Sequence, residues 1–158
     1  MFQKLKSIFL KFGKDIVKVI ISKWRNFKNS PMDTGVASVV TIVDSENNLL
    51  IVKRGKSAHW YPNKWSLVGG FIQGGETPAE GARREVYEET TLPLPNLKYC
   101  FRRGNIFFFL CCLPHPHKHY PVTLDFENDD YAWVPLSEID SYNTTPECKN
   151  NILKCLHS

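Results

Sequence analysis

The segment from Gly69 to Leu92, GGFIQGGETPAEGARREVYEETTL, constrains this chain more than any other. It runs from a glycine-rich turn into a marked helix start. Thr77 is placed to act as N-cap, Pro78 falls at the first helical position, and Glu80 completes a T-x-x-E capping box. In the helix that follows, Glu85, Glu88 and Glu89 share one face, because positions i, i+3 and i+4 stack. Like charges at that spacing cost a few tenths of a kcal/mol per pair, roughly, in an isolated helix. A cation between them reverses the sign. Oxygen ligands without His or Cys point to a hard divalent ion, Mg²⁺ or Mn²⁺. Ala82 and Val86 lie on a neighbouring stripe suited to burial, and Arg84 stands four residues before Glu88, at pairing distance.

Gly70, Glu76, Arg84, Glu85, Val86, Glu88 and Glu89 together resemble the Nudix box, G-x5-E-x7-R-E-U-x-E-E-x-G-U with U aliphatic. Leu92 supplies the closing aliphatic, and Thr91 replaces the late glycine. The flanking Trp65-Ser66-Leu67 and Tyr131 to Leu136 resemble the family's neighbouring strands, so the likeness extends over Gly35 to Leu156. It implies an α/β fold, a Nudix-like α/β/α sandwich with a mixed β-sheet. It also implies metal-dependent hydrolysis of a nucleoside diphosphate linked to another moiety, with Mg²⁺ as cofactor and Mn²⁺ as substitute.

By the same resemblance Glu85, Glu88 and Glu89 are metal ligands, joined by the Gly69 carbonyl. Glu76 orients the loop or an outer water, and Arg84 holds glutamates rather than substrate. Family members often carry an acid before the Trp133 strand as a further ligand or base; Glu127 is the first choice and Asp130 the second. Arg54, at the end of the second strand, with Lys53 beside it, is the candidate for phosphate contact, and Gly70 lines the substrate site. Thr91 is β-branched and resists positive φ, so the helix is expected to end differently from the family pattern. Gln73 stands where many relatives have glutamate, which removes an outer carboxylate.

The net charge of +4 misleads. Residues 1–30 carry eight Lys or Arg and one acid, leaving 12 bases and 15 acids for the remainder. Phe2, Leu5, Phe9, Phe12, Ile16, Ile20, Trp24 and Phe27 form one helical stripe in that arm, with lysines on the other faces. The reading is a basic amphipathic N-terminal helix over 1–30, followed by a hydrolase domain over 31–158. Such a helix suits an anionic membrane surface. It equally suits docking on its own domain or on a partner protein; RNA and organelle targeting are weaker alternatives. No cleavable signal and no membrane-spanning stretch is read in the sequence, which points to the cytoplasm, peripheral to a membrane if the arm binds one.

The five cysteines, Cys100, Cys111, Cys112, Cys148 and Cys155, are odd in number and lack a C-x-x-C pair. They read as reduced thiols, with Cys111 and Cys112 on opposite faces of a strand. Val36 to Asp44 and Leu49 to Lys53 read as a strand hairpin. Leu97–Arg103 and Asn105–Leu113 form a second, with Ile106–Leu110 buried on both faces. Pro146–Leu156 is a closing helix with Cys148, Ile152 and Cys155 inward. His115, His117 and His119 alternate in a proline-flanked loop and read as loop residues. Trp60 and Tyr61, in the loop after Arg54, are candidates for stacking on a base.

The expected substrate is nucleotide-derived: ADP-ribose, an NADH-like dinucleotide or a nucleotide sugar. Modified nucleoside triphosphates and RNA caps are the alternatives within the class. The non-enzymatic alternative is a Nudix-fold nucleotide-binding protein. Such proteins usually carry a broken R-E-U-x-E-E core, and Arg84 to Glu89 is intact.

Overall fold

A computed structural model describes residues 35–158. The basic arm expected over 1–30, and its boundary with the domain, lie outside the described residues. A seven-stranded mixed sheet forms the middle layer. At its centre is β1 (Ala37–Val43). One edge of β1 runs parallel to β6 (Ile106–Cys112) along its whole length, from Ala37 opposite Ile106 to Val43 opposite Cys112. The other edge takes β4 (Val68–Phe71) antiparallel, with Ser38 opposite Gly70 and Val39 opposite Gly69. Neighbouring β2 (Asn48–Arg54) pairs with β7 (Asn128–Pro135) and with the short β3 (Trp65–Ser66). Outermost beside β6 is β5 (Lys98–Arg103).

Strand alternation sends side chains to two opposite layers. Val40, Ile42, Leu50, Val52, Val68 and Phe109 meet Ala82 and Val86 of α1 (Pro78–Thr90). Val43, Leu49, Ile51 and Val134 meet Cys148 and Ile152 of α2 (Cys148–Leu156), together with Ile139 from the 3₁₀ segment Leu136–Ser141. The expected α/β/α sandwich follows directly. Burying a side chain such as Val86 contributes about 2 kcal/mol.

Both ends of α1 are fastened. The Thr77 side chain accepts from the Glu80 N–H, and the Glu80 carboxylate accepts from the Thr77 N–H at 2.8 Å. At the far end Thr91 adopts φ 63°, ψ 11°, and its N–H donates to Tyr87 O at 2.8 Å. This corrects the expectation drawn from its β-branched side chain. The helix ends in the left-handed turn that glycine favours, and Thr91 occupies it against its intrinsic preference.

Two further expectations change in detail. The hairpin read over β1 and β2 is joined only at Val43 and Leu49. Beyond that point β4 pairs with β1 and β3 with β2, while β7 runs beside β2 along its whole length. In β6, Phe108 and Phe109 are buried, but Ile106 is exposed at the strand start. Cys111 is buried and Cys112 exposed, on opposite faces as expected.

Candidate active site

Glu85, the first of the three helix glutamates, is held under the glycine turn. Gly69 lies so close to β1 that a methyl group there would fall 2.2 Å from Ser38 O and 2.7 Å from Val39 Cα. Only a residue without a side chain lets β4 approach that far. One position on, the space a Gly70 methyl would fill belongs to the Glu85 carboxylate, 2.4 Å from Oε2. Ser38 Oγ donates to Pro78 O at 2.7 Å, so β1 also anchors the start of α1. Turn, strand and helix are thereby locked together around Glu85.

Arg84 organises the carboxylates. Its Nε donates to Glu76 Oε1 at 2.6 Å and its Nη2 to Glu76 Oε2 at 3.0 Å. Its Nη1 reaches Glu85 Oε1 at 2.6 Å and Glu88 Oε2 at 3.4 Å. Nη2 also donates to Phe71 O at 2.8 Å, in the turn itself. One planar guanidinium therefore ties three glutamates to the loop, a geometry suited to arginine and not to lysine. The i, i+4 contact to Glu88 is present, but the shorter contacts go to Glu76 and Glu85.

Burial alone would lower the Arg84 pKa; the bonds to Glu76 and Glu85 outweigh it and push the group further above its usual range. Burial would likewise raise Glu76, and the bonds from Arg84 and from the Gln73 N–H, at 2.9 Å, bring it below the ordinary carboxylate range.

Glu85, Glu88 and Glu89 are all buried. Three carboxylates lie on one covered helix face, with Glu85 against the glycine turn, and oxygen-only donors are the chemistry that a hard divalent cation takes. Glu89 belongs to a second group. Asn128 Nδ2 lies 3.4 Å from Glu89 Oε2 and 3.4 Å from Asp125 Oδ1, and the Asp125 N–H donates to Glu89 O at 3.2 Å. Glu127, chosen from sequence as the further acid, has an exposed side chain, while its N–H donates to Asp125 Oδ1 at 3.0 Å. Asp130 is exposed and faces Lys53 across the β2–β7 ladder. Asp125 and Asn128 are thus the residues of this loop that the fold buries beside Glu89. Asn128 carries no local sequence signal, since its place depends on a register shift opposite Lys53 and Arg54.

The loop after β2 joins the same region. The Gly55 N–H donates to Glu127 O at 2.8 Å. Arg54 Nε donates to Trp60 O at 2.6 Å, which curls the loop back on its strand. Trp60 and Tyr61 stand exposed on it, at 61% and 50%.

A different grouping lies past the other end of β1. Ligand atoms of Asp44, Glu46 and His117 fall within 4.8 Å of one another. The Asp44 carboxylate already accepts from the N–H groups of Glu46, Asn48 and His117, at 2.9, 2.8 and 2.8 Å, and contacts His117 Nδ1 at 2.8 Å. These partners fill its acceptor sites, so the group acts as a clamp between two loops. No helix among the described residues is long and apolar enough to cross a membrane.

Comparison with known proteins agrees with this geometry. A domain profile described as NUDIX domain matches residues 32–154. The nucleoside triphosphatase NudI of Klebsiella pneumoniae is 27% identical over 120 residues, covering 66% of this chain and 85% of that protein. The ADP-ribose pyrophosphatase of Methanocaldococcus jannaschii is 36% identical over 88 residues, covering 55% of this chain but only 50% of the relative. Among solved structures, the NUDIX domain of Shewanella oneidensis NrtR, complexed with ADP ribose, superposes with a TM-score of 0.68 at 15% identity, covering 85% of this chain and 97% of that one. The box residues, the clamp built on Arg84 and the profile match coincide: the chain belongs to the Nudix family and is a pyrophosphohydrolase.

Proposed function

We propose that this chain hydrolyses the pyrophosphate bond of a nucleoside diphosphate linked to another moiety, with ADP-ribose or an NADH-like dinucleotide as the leading substrate class. The observation that carries the reading is the Arg84 clamp, which holds Glu76, Glu85 and Glu88 against the Phe71 carbonyl. Glu85, Glu88 and Glu89, with the Gly69 carbonyl, would hold Mg²⁺ or Mn²⁺. When bound, the ion neutralises pyrophosphate charge and lowers the pKa of a bound water. Arg84 fixes the spacing of the carboxylates and Glu76 fixes the loop. Asn128 places an amide between Glu89 and Asp125, which moderates the repulsion of two buried carboxylates.

The substrate class draws on the loop after β2. Exposed Trp60 and Tyr61 offer rings for a base, and the Gly55–Glu127 bond ties their loop to the acidic loop beside Glu89. The relative named as an ADP-ribose pyrophosphatase supports the same class. A second reading, hydrolysis of modified nucleoside triphosphates, is favoured by the likeness to NudI along most of that protein. The deciding experiment is turnover with Mg²⁺ over ADP-ribose, reduced and oxidised dinucleotides, nucleotide sugars and triphosphates. The proposal expects the highest kcat/KM on a diphosphate-linked compound; preference for triphosphates selects the second reading, and no turnover on any of them contradicts both.

For residues 1–30 the proposal from sequence is an arm for anionic surfaces. Flotation of the full chain with anionic vesicles, against a form lacking the arm, tests it; equal behaviour of the two forms overturns it.

A further inference from the structure

Five cysteines are present, all as free thiols, and the hydrolytic site uses none of them. Two of them meet between the edge strand and the last helix. Cys100 lies on β5 and Cys155 in the last turn of α2. Both belong to one packed cluster with Phe101 and Phe108. Cys100 Sγ is 3.8 Å from the backbone carbonyl of Cys155.

A backbone irregularity produces this meeting. Tyr99 is opposite Phe109 and Phe101 opposite Phe108, so Cys100 is an extra residue in β5 with no partner in β6. In a regular strand Cys100 and Phe101 would face opposite ways. Here Phe101 stacks on Phe108, 4.5 Å between centroids, and Cys100 packs into the same cluster, while Tyr99 faces Phe109 on the other side. Bulges on edge strands re-aim side chains in this way. The corner is also fastened independently. Lys98 Nζ donates to Ser158 O, and Ser158 Oγ donates to Cys155 O at 2.7 Å.

We propose that Cys100 and Cys155 form a peroxide-sensitive dithiol that closes to a disulfide, pinning the end of α2 to the edge strand. Cys100 is half-buried and open to an oxidant, whereas Cys155 is fully covered. In the first step the Cys100 sulfur attacks hydrogen peroxide. An S–O bond forms, the O–O bond breaks, and hydroxide leaves as water after taking the thiol proton. Cys155 then attacks the Cys100 sulfenic sulfur. The S–S bond forms, the S–O bond breaks, and a second water leaves with the Cys155 proton. Two thiols are oxidised by two electrons and one peroxide is reduced. Burial pushes the Cys155 thiol up to about 12, which protects it from direct oxidation and leaves the first step to Cys100.

The test uses the full chain carrying Cys112→Ser, which removes the exposed competitor. Reduced protein is treated with equimolar hydrogen peroxide and mapped by mass spectrometry without reduction. The expected product is a Cys100–Cys155 cross-linked peptide, with Tm raised by about 5 °C or more. Dithiothreitol reverses both changes, and adding Cys100→Ser, a half-buried position tolerant of the change, removes both. A Cys100 that ends as sulfenic or sulfinic acid with no link to Cys155, or a cross-link chiefly between other cysteines, overturns the proposal. Because the pair lies on the far side of the sheet from α1, either outcome is independent of nucleotide turnover.

Discussion

Glu85 occupies the volume that any side chain at residue 70 would need, its Oε2 lying 2.4 Å from where a Gly70 Cβ would stand. The glycine and the glutamate are thus one feature, separated by a loop and about two turns of helix. Replacing Gly70 by Ala must move Glu85, the turn, or both. The expected result is a loss in kcat of about 100-fold and a stability loss of about 1–3 kcal/mol from overpacking. Steady-state kinetics and urea unfolding of Gly70→Ala measure the two effects separately.

Arg84→Lys keeps the charge but cannot span Glu76, Glu85, Glu88 and Phe71 O with one group. A compact ammonium satisfies one or two of them. Stability should fall by about 2 kcal/mol, less than for a fully buried pair because the clamp retains some solvent contact. Turnover should fall further than for a surface Arg→Lys change such as Arg102→Lys, measured in parallel.

Thr91 sits at φ 63° at the end of α1. A left-handed backbone costs a non-glycine residue about 1–2 kcal/mol, and glycine's greater freedom in the unfolded chain returns part of that gain. Thr91→Gly is therefore expected to stabilise the protein by about 0.5–1 kcal/mol with unchanged kcat. Differential scanning calorimetry reads this as a higher Tm, and an unchanged or lower Tm contradicts the strain.

The end of this helix marks where the sequence stops being sufficient. Thr77, Pro78 and Glu80 announce its start through contacts made within four residues, and the structure contains them all. The β-branching of Thr91 argues against its observed conformation, but the cap N–H to Tyr87 O and the buried Leu92 beyond it impose the turn. The site shows the same division. Glu85, Glu88 and Glu89 are legible from helical spacing. Asp125 and Asn128 are not, because four acids crowd residues 125–130 and only the pairing of β2 with β7 decides which of them turns inward. The bulge at Cys100 likewise has no signature in the sequence of β5, since it exists only relative to β6.

Asp44 gives the fold an acid-sensitive point. Burial raises its pKa, but bonds from Asn48 and His117 outweigh that and hold the carboxyl at about 2 instead of 3.8. A depressed carboxyl contributes stability above its unfolded value, and that contribution is lost as pH falls from about 4 through about 2. Allowing for solvent screening at the loop, it is worth about 1 kcal/mol. Asp44→Asn should lower Tm at neutral pH and narrow its gap to wild type between pH 4 and pH 2. Thermal melts across that range check it, and a constant gap contradicts the clamp.

The proposed hydrolysis requires the carboxylates of α1 to grip a divalent ion, which isothermal titration of Mn²⁺ into the full chain, with a non-hydrolysable ADP-ribose analogue present, measures. Wild type should bind, while Glu85→Gln and Glu88→Gln, both still folded by circular dichroism, should lose at least about tenfold in affinity. Absence of binding in wild type, or equal binding in the folded variants, contradicts it.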